Sequence, residues 1–411
     1  MTGGDQPPAP DAPPRKRLLE VAGLFTRLGF TAFGGPAAHL SLIEDEVVTR
    51  RRWIDRRQFL DIVSAINFIP GPNSTELCIH LGLIRAGHAG LLVAGACFIL
   101  PAVLIILPIA WAYVTYGTLP RVGGAMALIN CAVVAIVAMA AVRFVRTSIT
   151  RRLHVGLAIA ASAIAVGFAW FHRLQPELCA LALAGIIGAI ATRRSGSPAH
   201  RPDPPAPPTN ATPAGAALPA LLAGSPLLLE YGRLALAFLK IGATLFGSGY
   251  VLVSYLRTSI VGAHGWMNEQ QLLDAIAVGQ FTPGPLLTTA TFVGYVVGHT
   301  AFAGGHVGGI VGAIVATTAI FLPSFVFVAV AAPALDRLRQ HPLARGALDA
   351  MNAAVAALLV VVTVQIAHGA FATAGWTGIA VAAVSGLALW RNVNATWLII
   401  AAGGLGAWIS G

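Results

Sequence analysis

The chain has 411 residues, of which 56% are hydrophobic and 10% charged, with 45 glycines and a formal net charge of +10. Soluble domains carry about 25% charged residues, so a water-soluble globular protein is excluded. The positive balance falls in short arginine-bearing loops with no basic, aromatic-interleaved soluble domain, which argues for membrane orientation and against nucleic acid as a partner.

Residues 1–17 are polar and proline-rich and end in Arg15-Lys16-Arg17. They lack the short apolar core and cleavage site of a signal peptide. A disordered tail on the cytoplasmic side is expected. Residues 18–48 contain Gly34-Gly35-Pro36 and are basic at both ends, which predicts a hairpin that dips into the bilayer and returns. Residues 61–85 predict a second hairpin with Pro70-Gly71-Pro72 at its tip, because proline removes a backbone donor and glycine loosens the chain. A broken helix at membrane depth is tolerated only where it is buried in protein or lines a wet cavity. Apolar runs then recur at 91–113, 123–142, 153–171 and 178–191. Several reach the roughly 20 residues that span a bilayer.

Residues 195–229 begin with a Pro/Ala/Thr-rich linker and end in an apolar run at 216–229 that is short for a crossing. Beyond it the chain repeats itself. Residues 25–72 align without gaps on 238–285, an offset of 213 (Gly71 to Gly284). Phe25/Phe238, Gly29/Gly242, Thr31/Thr244, Trp53/Trp266, Asp61/Asp274 and both Pro-Gly-Pro turns coincide, and Arg27 meets Lys240. Later the offset becomes 222, so that Pro101 meets Pro323 and Asn130 meets Asn352. Further apolar runs follow at 307–332, 347–367, 376–390 and 395–408.

Two homologous halves, 18–194 and 230–411, are therefore expected. Arg50, Arg51, Arg52, Arg56 and Arg57 of the first half face a loop, 262–270, without Lys or Arg in the second. The bias reverses at Arg337, Arg339 and Arg345, whose counterpart 120–124 holds one arginine. By the positive-inside rule the halves are inserted upside down to each other. The fold class expected is an all-α polytopic membrane protein of two inverted-topology repeats with broken or re-entrant helices, about 10–12 membrane segments.

Cys78, Cys97, Cys131 and Cys179 lie singly in apolar segments, with no spacing that suggests metal or redox work. They read as small packing residues, and no cofactor is expected. Neither an H-E-x-x-H string nor a G-x-x-x-x-G-K-[ST] string is present. The chain reads as a transporter rather than an enzyme, and not one that hydrolyses ATP itself. One breaker motif in each half is the sequence-level pointer to a transporter's binding site.

At Phe33-Gly34-Gly35-Pro36, at Trp53, and at Ile69-Pro70-Gly71-Pro72-Asn73-Ser74-Thr75-Glu76-Leu77 the sequence resembles the chromate transporter family. Phe246-Gly247-Ser248-Gly249-Tyr250 and Phe281-Thr282-Pro283-Gly284-Pro285 look like that family's second domain. Ser248 replaces the second glycine of the usual element, and Cys78 follows the first string. The resemblance covers nearly all of 18–411 and is closest to the two-domain form. It implies a multi-pass protein of the cell's inner membrane that exports chromate and confers resistance to it, with sulfate as an analogue or competitor. Uptake or exchange of sulfate or another oxyanion is the alternative. Protons as coupling ion and a homodimer are left open.

A tetrahedral dianion needs a positive, donor-rich, partly desolvated site, and helix N-termini supply free N–H groups and a positive dipole end. Gly34, Gly35, Gly71, Gly247 and Gly284 would let backbone amides approach an oxyanion. Asn67, Asn73, Ser74 and Thr75 add neutral donors in the first half, as does Thr31. Thr244, Gln280, Thr282 and Thr288 do so in the second. Arg27 and Lys240 supply charge, the competing reading being that both snorkel to the interface. Glu76 is an ionisable group beside the first break. It carries a coupling proton, holds Arg27, or caps the second half-helix. Asp61 and Asp274 read as first-turn caps. Trp53 and Trp266 read as interfacial anchors. The run Glu44-Asp45-Glu46 faces water or pairs with the arginines beyond it.

Overall fold

A computed structural model describes residues 13–32, 36–149, 152–168, 176–194, 226–246, 249–391 and 393–411. Gly34, Gly35, Gly247 and Ser248 lie outside the described residues, as do most of the N-terminal tail and nearly all of the linker. The described chain is α-helical, with 14 α-helices and no strand. In the first half these are α1 (Pro14–Thr31), α2 (Pro36–Glu44), α3 (Arg56–Ile66), α4 (Asn73–Tyr116), α5 (Pro120–Ser148), α6 (Arg152–Phe168) and α7 (Pro176–Arg194). In the second they are α8 (Pro226–Thr244), α9 (Leu252–Leu256), α10 (Glu269–Phe281), α11 (Thr289–Val296), α12 (Gly305–Gln340), α13 (Pro342–Trp390) and α14 (Ala395–Ile409). Four of them hold apolar stretches long enough to cross a membrane: α4, α5, the 305–331 part of α12, and α13. The chain is an all-α polytopic membrane protein.

Two of the long helices are interrupted. In α4, Ala86 and Gly87 leave the helical region (Gly87 φ 64°), and the chain doubles back. A side chain at Gly82 would strike the Gly90 carbonyl, and one at Gly90 the Gly82 carbonyl, so the two arms touch through bare backbone. Small residues permit that approach inside a bilayer. Gly294 and Gly312 make the same reciprocal contact between α11 and α12. In α13 the interruption is Gly375, at φ 57°.

Local details recur at the offset seen in the sequence. Asp55 and Gln58 form a capping box at the start of α3, and Asn268 and Gln271 form one at the start of α10. Each box satisfies two orphan donors reciprocally. Just before the boxes stand a π-helical turn at Asp45–Arg50 and another at Arg257–Ala263. Arg52 (φ 52°) and Gly265 (φ 63°) are both left-handed. The capping role expected of Asp61 and Asp274 is thus taken by Asp55 and Asn268, six residues earlier, because the helices start sooner than the apolar pattern does. The ends carry matching clusters. The Arg85 guanidinium stacks over Trp53 at 5.3 Å and pairs with Glu20 at 2.7 Å, while Trp266 stacks on His264 and packs edge-on against Phe302.

Candidate functional site: the crossing of the two Pro-Gly-Pro turns

The two breaks meet. Gly71 N–H donates to the carbonyl of Leu245, at the end of α8, at 2.7 Å. Gly284 N–H donates to the carbonyl of Ala32, at the end of α1, at 3.1 Å. Ala32 and Leu245 stand at equivalent positions, so each turn caps the first helix of the opposite half. The last carbonyls of a helix have no intrahelical donor, and these two are satisfied across the crossing. Both glycines hold a positive φ, 143° at Gly71 and 94° at Gly284. Ala32 also accepts from His39 Nε2 at 3.1 Å.

Helix α4 starts directly after the first turn. Its cap is Pro72 and no side chain satisfies the first amides. Ser74, Thr75 and Glu76 are buried. Neither carboxylate oxygen of Glu76 has a hydrogen-bond partner, nor does Thr75 Oγ1. The carboxylate lies against Gly71 and beside the hydroxyl of Ser324 on α12. A side chain at Gly71 would run into both groups. The first-half acid is therefore buried against the second half, with nothing to neutralise it among the described residues. Asn73 Nδ2 donates to Asn67 Oδ1 at 2.7 Å, and Asn67 Nδ2 to the Val63 carbonyl at 3.0 Å, which ties the two arms together below the turn.

The threonine hydroxyls at the second turn and at the ends of α1 and α8 are committed to nearby carbonyls. Thr282 Oγ1 donates to the Val278 carbonyl and Thr288 Oγ1 to that of Pro285. Thr31 and Thr244 donate to the carbonyls of Arg27 and Lys240, a matched pair at 2.8 and 2.7 Å. A hydroxyl has one proton to give, so in this state these four threonines do not offer one to an anion. Gln280 Nε2 is buried without a partner.

The two cations differ. Arg27, half-exposed, pairs with Glu46, which also binds Arg50 at 3.2 Å and Arg51 at 3.3 Å. Glu46 lies outside the four apolar spans. Burial pushes its carboxyl up, but hydrogen bonds from Arg27 and Arg51 and the charges of Arg27 and Arg50 outweigh this and hold it below the usual range. The Glu44-Asp45-Glu46 run pairs with arginines throughout, Asp45 with Arg50 and Glu44 with Arg56. Glu46, not Glu76, holds Arg27. Lys240 is exposed and has no ion-pair partner among the described residues.

Two polar residues of the second half take positions that their sequence context did not indicate, Asp274 against first-half helices and Ser324 beside the first break. Asp274 is buried and accepts from Tyr113, Asn130 and Gln270. The coincidence of Asp61 with Asp274 and of Asn130 with Asn352 marked the positions. Ser324 follows the matched Pro323 within the apolar run 307–332. Among the described residues no group of three or more His, Cys, Asp or Glu is arranged to hold a metal ion.

The family model described as "Chromate transporter" matches residues 19–189 and 232–407, one match in each half. The chain is 28% identical to the chromate transport protein of Pseudomonas aeruginosa, over 97% of this chain and 93% of the relative. It is 29% identical to the chromate transport protein of Cupriavidus metallidurans, over 83% and 80%. It is also 29% identical to a probable chromate transport protein of Synechococcus elongatus, over 86% and 87%. No solved structure matches.

Proposed function

We propose, from the premise that this chain belongs to the chromate transporter family, that it exports chromate from the cytoplasm in exchange for protons and so confers chromate resistance. The observation that carries this reading is Glu76, a buried, unpartnered carboxylate at the point where the two halves cap each other. An ionisable group inside a membrane marks an ion pathway by default. The relatives' names supply the substrate, and the chemistry around the crossing suits a tetrahedral dianion.

The anion is held between the breaks. Asn73 and Ser74 amides at the start of α4 have no intrahelical acceptor and lie at a positive dipole end. Thr75 and Gln280 contribute uncommitted donors. Arg27 and Lys240 supply field from one helical segment away. The matched Thr31 and Thr244, with Thr282 and Thr288, hold the backbone around the site and turn their hydroxyls to the anion when the halves move. Gly34, Gly35 and Gly247, outside the described residues, are assigned to the same site on their sequence motifs. The cycle is alternating access, one inverted half moving against the other around a fixed centre.

The test is chromate accumulation in inverted inner-membrane vesicles. Chromate should accumulate against its gradient, sulfate should compete, and collapse of the proton gradient should stop it. Accumulation that survives the collapse removes proton exchange. Sulfate accumulation without chromate accumulation selects the alternative, a sulfate carrier.

Charge removal checks the cations. Arg27→Gln and Lys240→Gln should each lower transport at normal protein levels by more than about tenfold, since an unscreened dianion in a low-dielectric cavity is costly. Arg27→Lys should keep a part, because a cation acting at range needs charge rather than a bidentate fork. Parent-like transport by both glutamine variants would assign the cations to the interface.

Inverted topology has its own measurement. Arg52 and Gly265 are equivalent, exposed and in the same left-handed conformation, so cysteine meets the same backbone at each. In a cysteine-free background, Arg52→Cys and Gly265→Cys should be labelled from opposite sides by an impermeant thiol reagent. Labelling from one side would overturn the inverted arrangement.

A further inference from the structure

Asp274 is the most fully bonded carboxylate between the two halves, and neither the family membership nor the break-point site uses it. Its Oδ2 accepts from Tyr113 of α4 at 2.7 Å. Its Oδ1 accepts from Asn130 of α5 at 2.7 Å and from Gln270 of its own helix α10 at 3.1 Å. Two first-half helices thus grip the arm that leads into the second Pro-Gly-Pro turn. Gln270 is in turn bonded by Thr373 of α13.

Every group bonded to Asp274 is a neutral donor. Three donors aimed at two oxygens favour an ionised, acceptor-only carboxylate, and hydrogen bonds to an ionised group are roughly twice as strong as neutral ones. A proton on Asp274 turns one acceptor into a donor that faces Tyr113 O–H or the two amide NH2 groups. At least one of the three bonds must then break or reverse. Of the elements packed on α10, α5 carries Arg121, Arg143 and Arg146 and α13 carries Arg345, Asp349 and His368, but among the described residues Tyr113 is the only titratable group bonded to the carboxylate, and no charged side chain acts on it. Glu269, next to Gln270, turns outward to Arg257 at 2.8 Å. Tyr295 of α11 bonds His306, and α14 carries no titratable residue.

We propose that Asp274 is a proton-operated latch: ionised, it docks α10 on Tyr113 and Asn130 of the first half, and protonated, it releases the arm so that the second Pro-Gly-Pro turn is free to move. The proposal rests on the transport reading for its purpose but not for its existence. It adds a second protonatable position to Glu76, on the other half and with different surroundings: Glu76 has only the Ser324 hydroxyl beside it, whereas Asp274 accepts from three donors.

The test is hydrogen–deuterium exchange of the α10 amides in the full chain reconstituted in lipid nanodiscs, across a pH series corrected for intrinsic exchange, with chromate transport measured in parallel. The parent should lose α10 protection as pH falls. Asp274→Asn should show the low-pH level at every pH. Tyr113→Phe, which removes one donor to the carboxylate, should raise exchange about tenfold or more at high pH, and Asp274→Glu should keep a pH response. If Asp274→Asn and Tyr113→Phe both protect α10 as the parent does, or if parent protection does not change with pH, the latch is overturned while the transport reading stands. A pH-dependent latch in a protein that moves no chromate would instead overturn the transport reading alone. If Asp274→Asn deprotects α5 and α13 as well, it has unfolded generally, and Asp274→Glu and Tyr113→Phe, the smaller changes, decide the latch: parent-like α10 protection at every pH in both overturns it.

Discussion

Replacing Glu76 by glutamine is expected to remove the response of chromate transport to a proton gradient while leaving chromate exchange measurable. The carboxylate is buried to the last atom and neither oxygen has a partner. A bare carboxylate is costly to hold as an anion in such a place, and movement of the halves changes that cost by bringing water or the substrate site to it. Glutamine keeps the shape and a neutral polar head but takes up no proton. One proton moving down one pH unit yields about 1.4 kcal/mol, a tenfold concentration ratio, so gradient-driven accumulation should drop by at least that factor per pH unit imposed. Exchange of chromate across the membrane needs the anion site and the rocking motion only, and survives. Should Glu76→Gln retain the parent's response to the gradient, the acid is a structural filler beside Ser324.

The second large effect is expected at Gly71. Its φ of 143° is a conformation that only glycine adopts without strain, and a methyl group there would collide with the Glu76 carboxylate and the Ser324 hydroxyl together. Gly71→Ala should abolish chromate transport and lower the melting temperature, because it displaces the acid, Ser324 and the hydrogen bond to Leu245 in one step. Gly284→Ala should be milder. Its φ is 94°, and the nearest obstacle is the Ala102 methyl at 3.0 Å, so strain remains but no polar group is displaced. Gly23→Ala supplies the control: nothing lies within 4 Å of the added carbon, and alanine in a helix interior is favoured over glycine by up to about 1 kcal/mol. Transport at matched protein levels, with thermal unfolding alongside, separates these three. Equal loss at Gly71 and Gly284 would mean that the backbone crossing matters and the acid does not.

Hydropathy and punctuation made much of this architecture legible. The apolar runs became α4, α5, α12 and α13, and each Pro-Gly-Pro became a break between a short arm and the next helix. The offset between the two turns anticipated the paired capping boxes and the paired left-handed residues Arg52 and Gly265, because local backbone conformation follows local sequence. What could not be read was who faces whom across the halves. Ala32 and Leu245 are apolar, and nothing in their side chains announces that their carbonyls receive the glycine amides of the opposite turn. Arg27 read as the charge of an anion site or as a snorkel to the interface, yet its partner is Glu46, which lies on a different element, the π-helical turn Asp45–Arg50. Asp274 looked like a helix cap because it stands early in an apolar segment, whereas α10 begins at Glu269 under an Asn268 cap and places Asp274 one turn inside, toward Tyr113 and Asn130. Buried polar pairs of long sequence separation leave no local signal. The coincidences Asp61/Asp274 and Asn130/Asn352, at offsets of 213 and 222, were the trace they left.

The central claim, coupled movement of chromate and protons through the crossing of the two halves, is tested most directly by proton flux in proteoliposomes that contain the purified chain and a trapped pH indicator. With no pH difference at the start, an imposed chromate gradient should drive protons in the direction opposite to chromate, and Glu76→Gln should abolish that proton movement while chromate still exchanges. Chromate movement with no proton movement in the parent chain, or proton movement of the same size in Glu76→Gln, would contradict the account.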